Sequence, residues 1–264
     1  DKLALEKFTL DTSKKDIKHR LKYSLPKQER HFQDLLIHVD EISEDIILKR
    51  LFNLIHHTLR TNFYCQTEKN AIAIKLNSPE IKLPLPVPYR EIFVNNHELE
   101  VIHLRFGPVS RGGLRWSNRP EDFRKEILDL VKTQQTKNVV IVPVGSKGGF
   151  VIKKETNSRE ELGKESEIQY KKFIQSLLSV TDNLSKSGKP IPPKNVLCYD
   201  DPDPYLVVAA DKGTANFSDL AKTVGMRYMI VKSSSDFKGK LSKAFVIFVK
   251  KKRSYGDPPA YTSA

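Results

Sequence analysis

Along the chain the apolar residues switch between two periods, and each switch predicts an element. Residues 40–60, DEISEDIILKRLFNLIHHTLR, place Ile42, Ile46, Leu51, Leu54, Ile55 and Leu59 near helical spacing. The acids of the first turns and Arg60 near the end suit a helix dipole, so an amphipathic helix is predicted. Three short runs, 71–76 (AIAIKL), 90–94 (REIFV) and 98–106 (ELEVIHLRF), read as strands. Between the first two, Pro79, Pro84, Pro86 and Pro88 donate no ladder hydrogen bonds, which leaves an extended edge or a crossing loop. A second helix is predicted in 117–135, with Ser117 or Asn118 as cap, Pro120 in the first turn, and Glu121 and Asp122 at its positive end. Its stripe is Phe123, Ile127, Leu130, Val131 and Gln134. The β-branched run KNVVIVPV, 137–144, then predicts a fully covered strand. Ser158 and Glu161 form a capping box for a third helix, with Tyr170, Phe173, Ile174, Leu177, Leu178, Thr181 and Leu184 inward. A last apolar run, YLVVAA, enters a glycine-bearing turn at Asp211.

Strands alternating with helices predict an α/β fold: a mixed, mostly parallel sheet flanked by helices. Three regions are expected: a helical segment 1–62, an α/β domain 63–221 and a basic tail 222–264. The tail holds a serine cluster, the apolar run Ala244 to Val249, a KKKR block and a proline-rich end. It reads as a poorly packed, disordered extension.

Composition narrows the function classes. The 264 residues are 39% hydrophobic and 29% charged, which suits a soluble globular protein. No stretch approaches the roughly 18 consecutive apolar residues of a membrane span. The charged N-terminus has no apolar export core, and its first residue, Asp1, suggests an excerpted or processed chain. Two distant cysteines, Cys65 and Cys198, argue against a disulfide staple and for a reducing, cytoplasmic setting. The net charge of +13 points to polyanions until it is apportioned. Residues 219–264 hold ten Lys and Arg against three Asp, so about half of the excess belongs to the tail. A nucleic-acid or anionic-surface contact is thereby confined to the tail, and is the weakest functional reading.

The chemistry-bearing positions are few. Arg111, Lys137 and Lys147 sit near strand ends, and Gly112, Gly113 and Gly148 beside two of them allow close backbone approach to a ligand. Arginine forks and lysine point charges suit a dicarboxylate; equally, all three fit ordinary surface charges. A lysine desolvated among cations loses protons near neutrality, which would fit Lys147 for proton transfer. Asp211 reads either as a turn or helix cap or as a proton relay. GSKGG lacks the P-loop pattern, no G-x-G-x-x-G follows a strand, and the seven histidines have no metal-ligand spacing. Trp116 reads as a core residue rather than a stacking partner of Arg115.

LRTNFY (59–64), EIFV (91–94), GPVSRGGLRWSNRPEDFRKEILDLVKTQQTKNVVIVPVGSKGGF (107–150) and DPYLVVAADKGTANFSDLA (203–221) together resemble the large bacterial NAD-dependent glutamate dehydrogenases. RGGLRW, KN and KGG are also similar, more distantly, to the small hexameric glutamate dehydrogenases. The resemblance implies oxidative deamination of L-glutamate to 2-oxoglutarate and ammonia, with NAD as cofactor. It assigns substrate-carboxylate binding to Arg111 and Lys137, with Gly112 and Gly113 beside them, and catalytic roles to Lys147 and Asp211. Beyond Ala221 the likeness ends and no glycine-rich dinucleotide turn follows. The expectation is a substrate-domain fragment, inactive by itself, without a dinucleotide-binding domain. A separate chain would carry that half, and a homo-oligomer is a further possibility. The alternative is a non-catalytic remnant that binds a dicarboxylate or a partner chain.

Overall fold

The computed structural model describes residues 2–10, 17–65, 71–81, 83–137, 144–185, 187–211, 214, 217, 220–221, 224 and 246–248. The N-terminal part is helical: α1 (Lys2–Phe8), α2 (Ile17–His19), α3 (Leu25–Leu36) and α4 (Ile42–His56). Strands β1 (Thr58–Thr61), β2 (Ile72–Leu76), β3 (Arg90–Asn95), β4 (Leu99–Arg105), β5 (Ser110–Arg111) and β6 (Gly113–Trp116) follow. Then come α5 (Phe123–Lys137), β7 (Val144–Ile152), α6 (Arg159–Ser179), the small pair β8 (Asn183–Leu184) and β9 (Pro190–Ile191), and β10 (Val207–Ala210). From the basic tail, β11 (Val246–Phe248) joins the sheet beside β10. It falls inside the apolar run of that tail.

The main sheet runs β1-β2-β3-β4-β7-β6-β10-β11, with β5 also on β7. It is mixed, and the expectation of a mostly parallel sheet is corrected. β1 through β4 and β7 pair antiparallel, whereas β7, β6, β10 and β11 pair parallel. Connection length explains the division. Asn96 closes a tight β3–β4 turn, its side chain accepting from Glu98 N and Leu99 N, and a tight turn can join only antiparallel neighbours. The α5 crossover is long enough to lay β7 parallel to β6, which inserts it between β6 and β4.

β4 and β7 are covered on both faces. On one, Ile92, Val94, Leu99, Val101 and Phe150 pack against Tyr170, Phe173, Ile174 and Leu177 of α6. On the other, Ile102, Leu104 and Val151 pack against Phe123, Ile127 and Val131 of α5. The α6 capping box forms as predicted: Ser158 Oγ accepts from Glu161 N at 3.1 Å, and Glu161 in turn accepts from Asn157 N. All three predicted helices depart from the predicted bounds, α6 ending at Ser179 before Thr181 and Leu184. α5 begins at Phe123, after a turn in which Asp122 O accepts from Glu126 N. α4 stops at His56, and its predicted apolar stripe is left in solvent, Ile42 at 77% exposure and Leu51 at 54%. The covered strand predicted at 137–144 lies outside the described residues except at its two ends; the strand that is described starts at Val144 and continues through GSKGGF.

Two close approaches hold the central layers together. A Cβ on Gly149 would lie 2.3 Å from Ile127 Cδ1, so the missing side chain lets α5 sit directly on β7. A Cβ on Gly112 would lie 1.5 Å from the Ser146 carbonyl oxygen, where backbone rather than a side-chain tip stands in the way. What these glycines approach closely is the protein itself.

Arg60 is the largest departure from the predicted helix dipole. It lies in β1, fully buried, with NH1 donating to Asp182 Oδ1 at 2.7 Å and Nε to Asp200. Lys75 bridges Asp200 and Asp203, and Arg105 donates to both oxygens of Asp203 at 3.0 and 2.9 Å. Three cations from β1, β2 and β4 thus meet three carboxylates from the segment after α6. Burial pushes the Asp203 carboxyl up, but Arg105 and Lys75 outweigh it and hold it down at about 2. Its contribution to stability is therefore present above its ordinary value of 3.8 and is lost as pH falls through about 2.

Asp182→Ala removes the carboxylate that accepts from both NH1 and NH2 of Arg60 and leaves Asp200 on Nε. It should cost about 3–5 kcal/mol in urea unfolding, the usual penalty for breaking one side of a buried pair. Gly149→Ala should lower stability by about 1–3 kcal/mol, since only the end of the Ile127 side chain must shift. Gly112→Ala should lower it more, because backbone must move; equal losses in thermal unfolding would contradict this account.

Candidate active site around Lys147

β7 carries Lys147 through the middle of the sheet rather than at a strand end, where its sequence context had suggested it. The register sets Lys147 opposite Leu104 of β4, on the face that α5 covers. Its side chain is 3% exposed. On the other face, a Cβ on the next residue, Gly148, would meet Leu114, His103 and Phe173. The lysine therefore rises from a densely packed floor, and its ammonium must find partners within the protein.

That partner is Asp211, one residue beyond β10. Lys147 Nζ donates to Asp211 Oδ2, closing an ion pair between residues 64 apart in sequence. Asp211 is held by its own turn: its N–H donates to Thr214 Oγ1 at 3.0 Å, and its carbonyl accepts from Thr214 N at 3.1 Å. Thr214 Oγ1 also donates to Leu114 O at 2.7 Å, tying the turn to β6. Of the two roles foreseen for Asp211, the turn is the one its backbone makes. The carboxylate, 28% exposed, faces the lysine.

Burial pulls the Lys147 ammonium down to about 8; the Arg115 guanidinium adds to the pull, and Glu126 opposes it. Arg115 lies opposite Gly149 on β6, and its Nε is 2.8 Å from Glu126 Oε1. Contact with Asp211 favours the charged amine, so displacing or neutralising that carboxylate frees the lysine to lose its proton. On the far face, burial and then Arg105 hold the His103 imidazole down at about 3, which keeps it neutral under the strand.

The other predicted residues are placed as follows. Arg111 ends β5 opposite Gly145, two residues before Lys147 on the neighbouring strand. It is half-buried and near enough to Tyr205 to pull that hydroxyl down against the upward push of burial. Gly112 and Gly113 join β5 to β6 beside it. Lys137 is the last residue of α5, and its side chain lies outside the described residues. Trp116 packs against the core, stacked on Phe150 at 6.3 Å, as a core residue should. Lys147 and Asp211 are brought together, and Arg111 is brought alongside.

Two sets of residues escaped the sequence reading. The Arg115–Glu126 pair had a signal: Arg111, Gly113 and Arg115 alternate with period two, the spacing of one strand face. The six-charge cluster of Arg60, Lys75, Arg105, Asp182, Asp200 and Asp203 had none, since members in direct contact lie as far as 140 residues apart. Among the described residues no group of His, Cys, Asp and Glu is arranged to hold a metal ion. No described helix is long and apolar enough to cross a membrane.

Comparison with known proteins places the chain in a family. Residues 31–234 match the family model for the bacterial NAD-glutamate dehydrogenase catalytic domain. The NAD-specific glutamate dehydrogenase of Pseudomonas aeruginosa is 51% identical over 212 residues, 76% of this chain and 13% of that protein. That of Halomonas elongata is 52% identical over 201 residues, 74% of this chain and 12% of its own length. The Mycobacterium tuberculosis enzyme of the same name is 48% identical over 209 residues, covering 74% and 13%. The chain thus spans about an eighth of the length of these curated relatives. With a family model matched over most of its residues, the chain belongs to the bacterial NAD-glutamate dehydrogenase catalytic-domain family.

Proposed function

We propose that the sheet around β7 carries the substrate side of an NAD-dependent glutamate dehydrogenase, which oxidises L-glutamate to 2-oxoglutarate and ammonia. The observation that carries this reading is the Lys147–Asp211 ion pair: a buried lysine, its amine pulled toward neutrality, set against a partly exposed carboxylate. Such a pair can move protons in both directions near neutral pH.

In this reading Arg111 and Lys137 bind the two substrate carboxylates, and Gly112 and Gly113 seat Arg111 against β7. Lys147, once uncharged, takes a proton from the water that adds to the substrate imine. Asp211 exchanges the proton of the amino nitrogen and gives it back as ammonia leaves. Substrate oxidation releases a hydride, which NAD accepts in the reaction as a whole. The two strand-to-helix turns described in full, 117–122 and 153–158, contain no glycine and so do not fit a dinucleotide pyrophosphate. The reading therefore assigns NAD to other residues or to a partner chain carrying the dinucleotide-binding half, and no step above is routed through it. The free thiols of Cys65 and Cys198 support a cytoplasmic setting. Homo-oligomers are compatible with the same reading.

Calorimetry of the 264-residue chain with 2-oxoglutarate tests the assignment directly. Arg111→Ala and Lys137→Ala should each weaken binding by about 10- to 100-fold, the usual loss for a hydrogen bond to a charged group. Affinities equal to that of the unmodified chain would sink the carboxylate roles.

A further inference from the structure

Arg115 stands out once the residues around Lys147 are sorted by face. In the parallel β6–β7 register, Arg115 pairs with Gly149, two residues along from Lys147. Strand spacing and rise put such diagonal neighbours on one face at about 8 Å. Glu126 of α5 approaches from above, Oε1 at 2.8 Å from Arg115 Nε, while its Oε2 accepts from Ser117 Oγ at 2.6 Å. Arg115 Nε is buried and makes no hydrogen bond of good geometry, so the pairing is an electrostatic contact rather than a bidentate fork. Glu126 is the better fixed of the two, with 10% of its side chain exposed against 23% for Arg115.

Among the described residues, the other charged groups near Lys147 are placed as follows. From β4 it faces apolar Leu104; His103 and Arg105 alternate onto the α6 face, where Arg105 is engaged by Asp203 and Tyr205 O. From β5, Arg111 lies two residues in the other direction. From the turn after β10 comes Asp211, and from α5 comes Glu126.

We propose that Arg115, anchored by Glu126, is a positioning residue for Lys147: the guanidinium disfavours the charged amine, and the carboxylate limits how far. This rests on the proton-transfer role given to Lys147 above. Arg115 touches no substrate in this account and acts only through its field on Nζ. A cation at such a diagonal position in a partly buried site shifts an amine by roughly one pH unit. Glu126 keeps that cation from being fully expressed. The pair thereby tunes the fraction of Lys147 available as a base, alongside Asp211.

The test is an NMR titration of the Lys147 side-chain nitrogen in the full chain, the resonance being assigned by its loss in K147M. In the unmodified chain the midpoint is expected near 8. Arg115→Gln should raise it by roughly one unit and Arg115→Lys should largely restore it, whereas Glu126→Gln should lower it. A packing role alone would leave the midpoint unchanged in variants with unaltered circular dichroism, and that result overturns the proposal. If Arg115→Gln does not fold, the near-isosteric Glu126→Gln decides, and no downward shift overturns it. Calorimetry with 2-oxoglutarate on the same samples separates the two readings. Midpoint shifts without any ligand binding would refute the glutamate assignment and leave the Arg115 effect standing; binding without midpoint shifts would do the reverse.

Discussion

Six largely buried charges hold the path of the chain that delivers Asp211. Arg60, Lys75 and Arg105 project from three strands toward α6, where apolar packing alone would have been simpler. Each is affordable in the interior only with a carboxylate in contact, and Asp182, Asp200 and Asp203 supply one apiece. All three lie in the irregular stretch between α6 and β10, which has little secondary structure to define its course. The ion pairs define it instead. Arg105 also holds Tyr205 O, two residues before β10 begins, so the network reaches the threshold of the strand that ends at Asp211.

The same logic operates on a smaller scale at Lys147. A lysine in the middle of a strand, opposite a leucine and under a helix, costs desolvation whenever it is charged. Asp211 offsets that cost, while burial and Arg115 work against it. The amine is therefore subject to opposing influences, and burial pulls it down to about 8. In the six-charge network the partners all act in one direction, and the charges are locked. Buried cations of one protein thus meet different balances of neighbours in the two places.

The sequence made much of this legible. The α6 capping box and its inward residues follow directly from spacing, because Ser158, Glu161, Tyr170 and Phe173 act within one helix. The α5 stripe was legible for the same reason, although its start was not, since the turn after Ser117 is fixed by contact with Glu126. Arg60 was misplaced because a basic residue after an amphipathic run satisfies the helix-dipole rule locally. What moves it into a strand is a pair of aspartates more than 120 residues away. The sheet was misjudged because alternating strands and helices suggest crossovers, whereas only part of the sheet is built that way.

Sequence alone determined the local periods, the caps, and the short list of Arg111, Lys137, Lys147 and Asp211, because each depends on residue type and near neighbours. Tertiary structure decided which of these meet. It set Lys147 in mid-strand, brought Asp211 to it across 64 residues, and set Arg115 and Glu126 close enough to act on it. The physical reason is that burial sets the strength of a charge–charge interaction, and burial belongs to the assembled layers rather than to any segment of the chain.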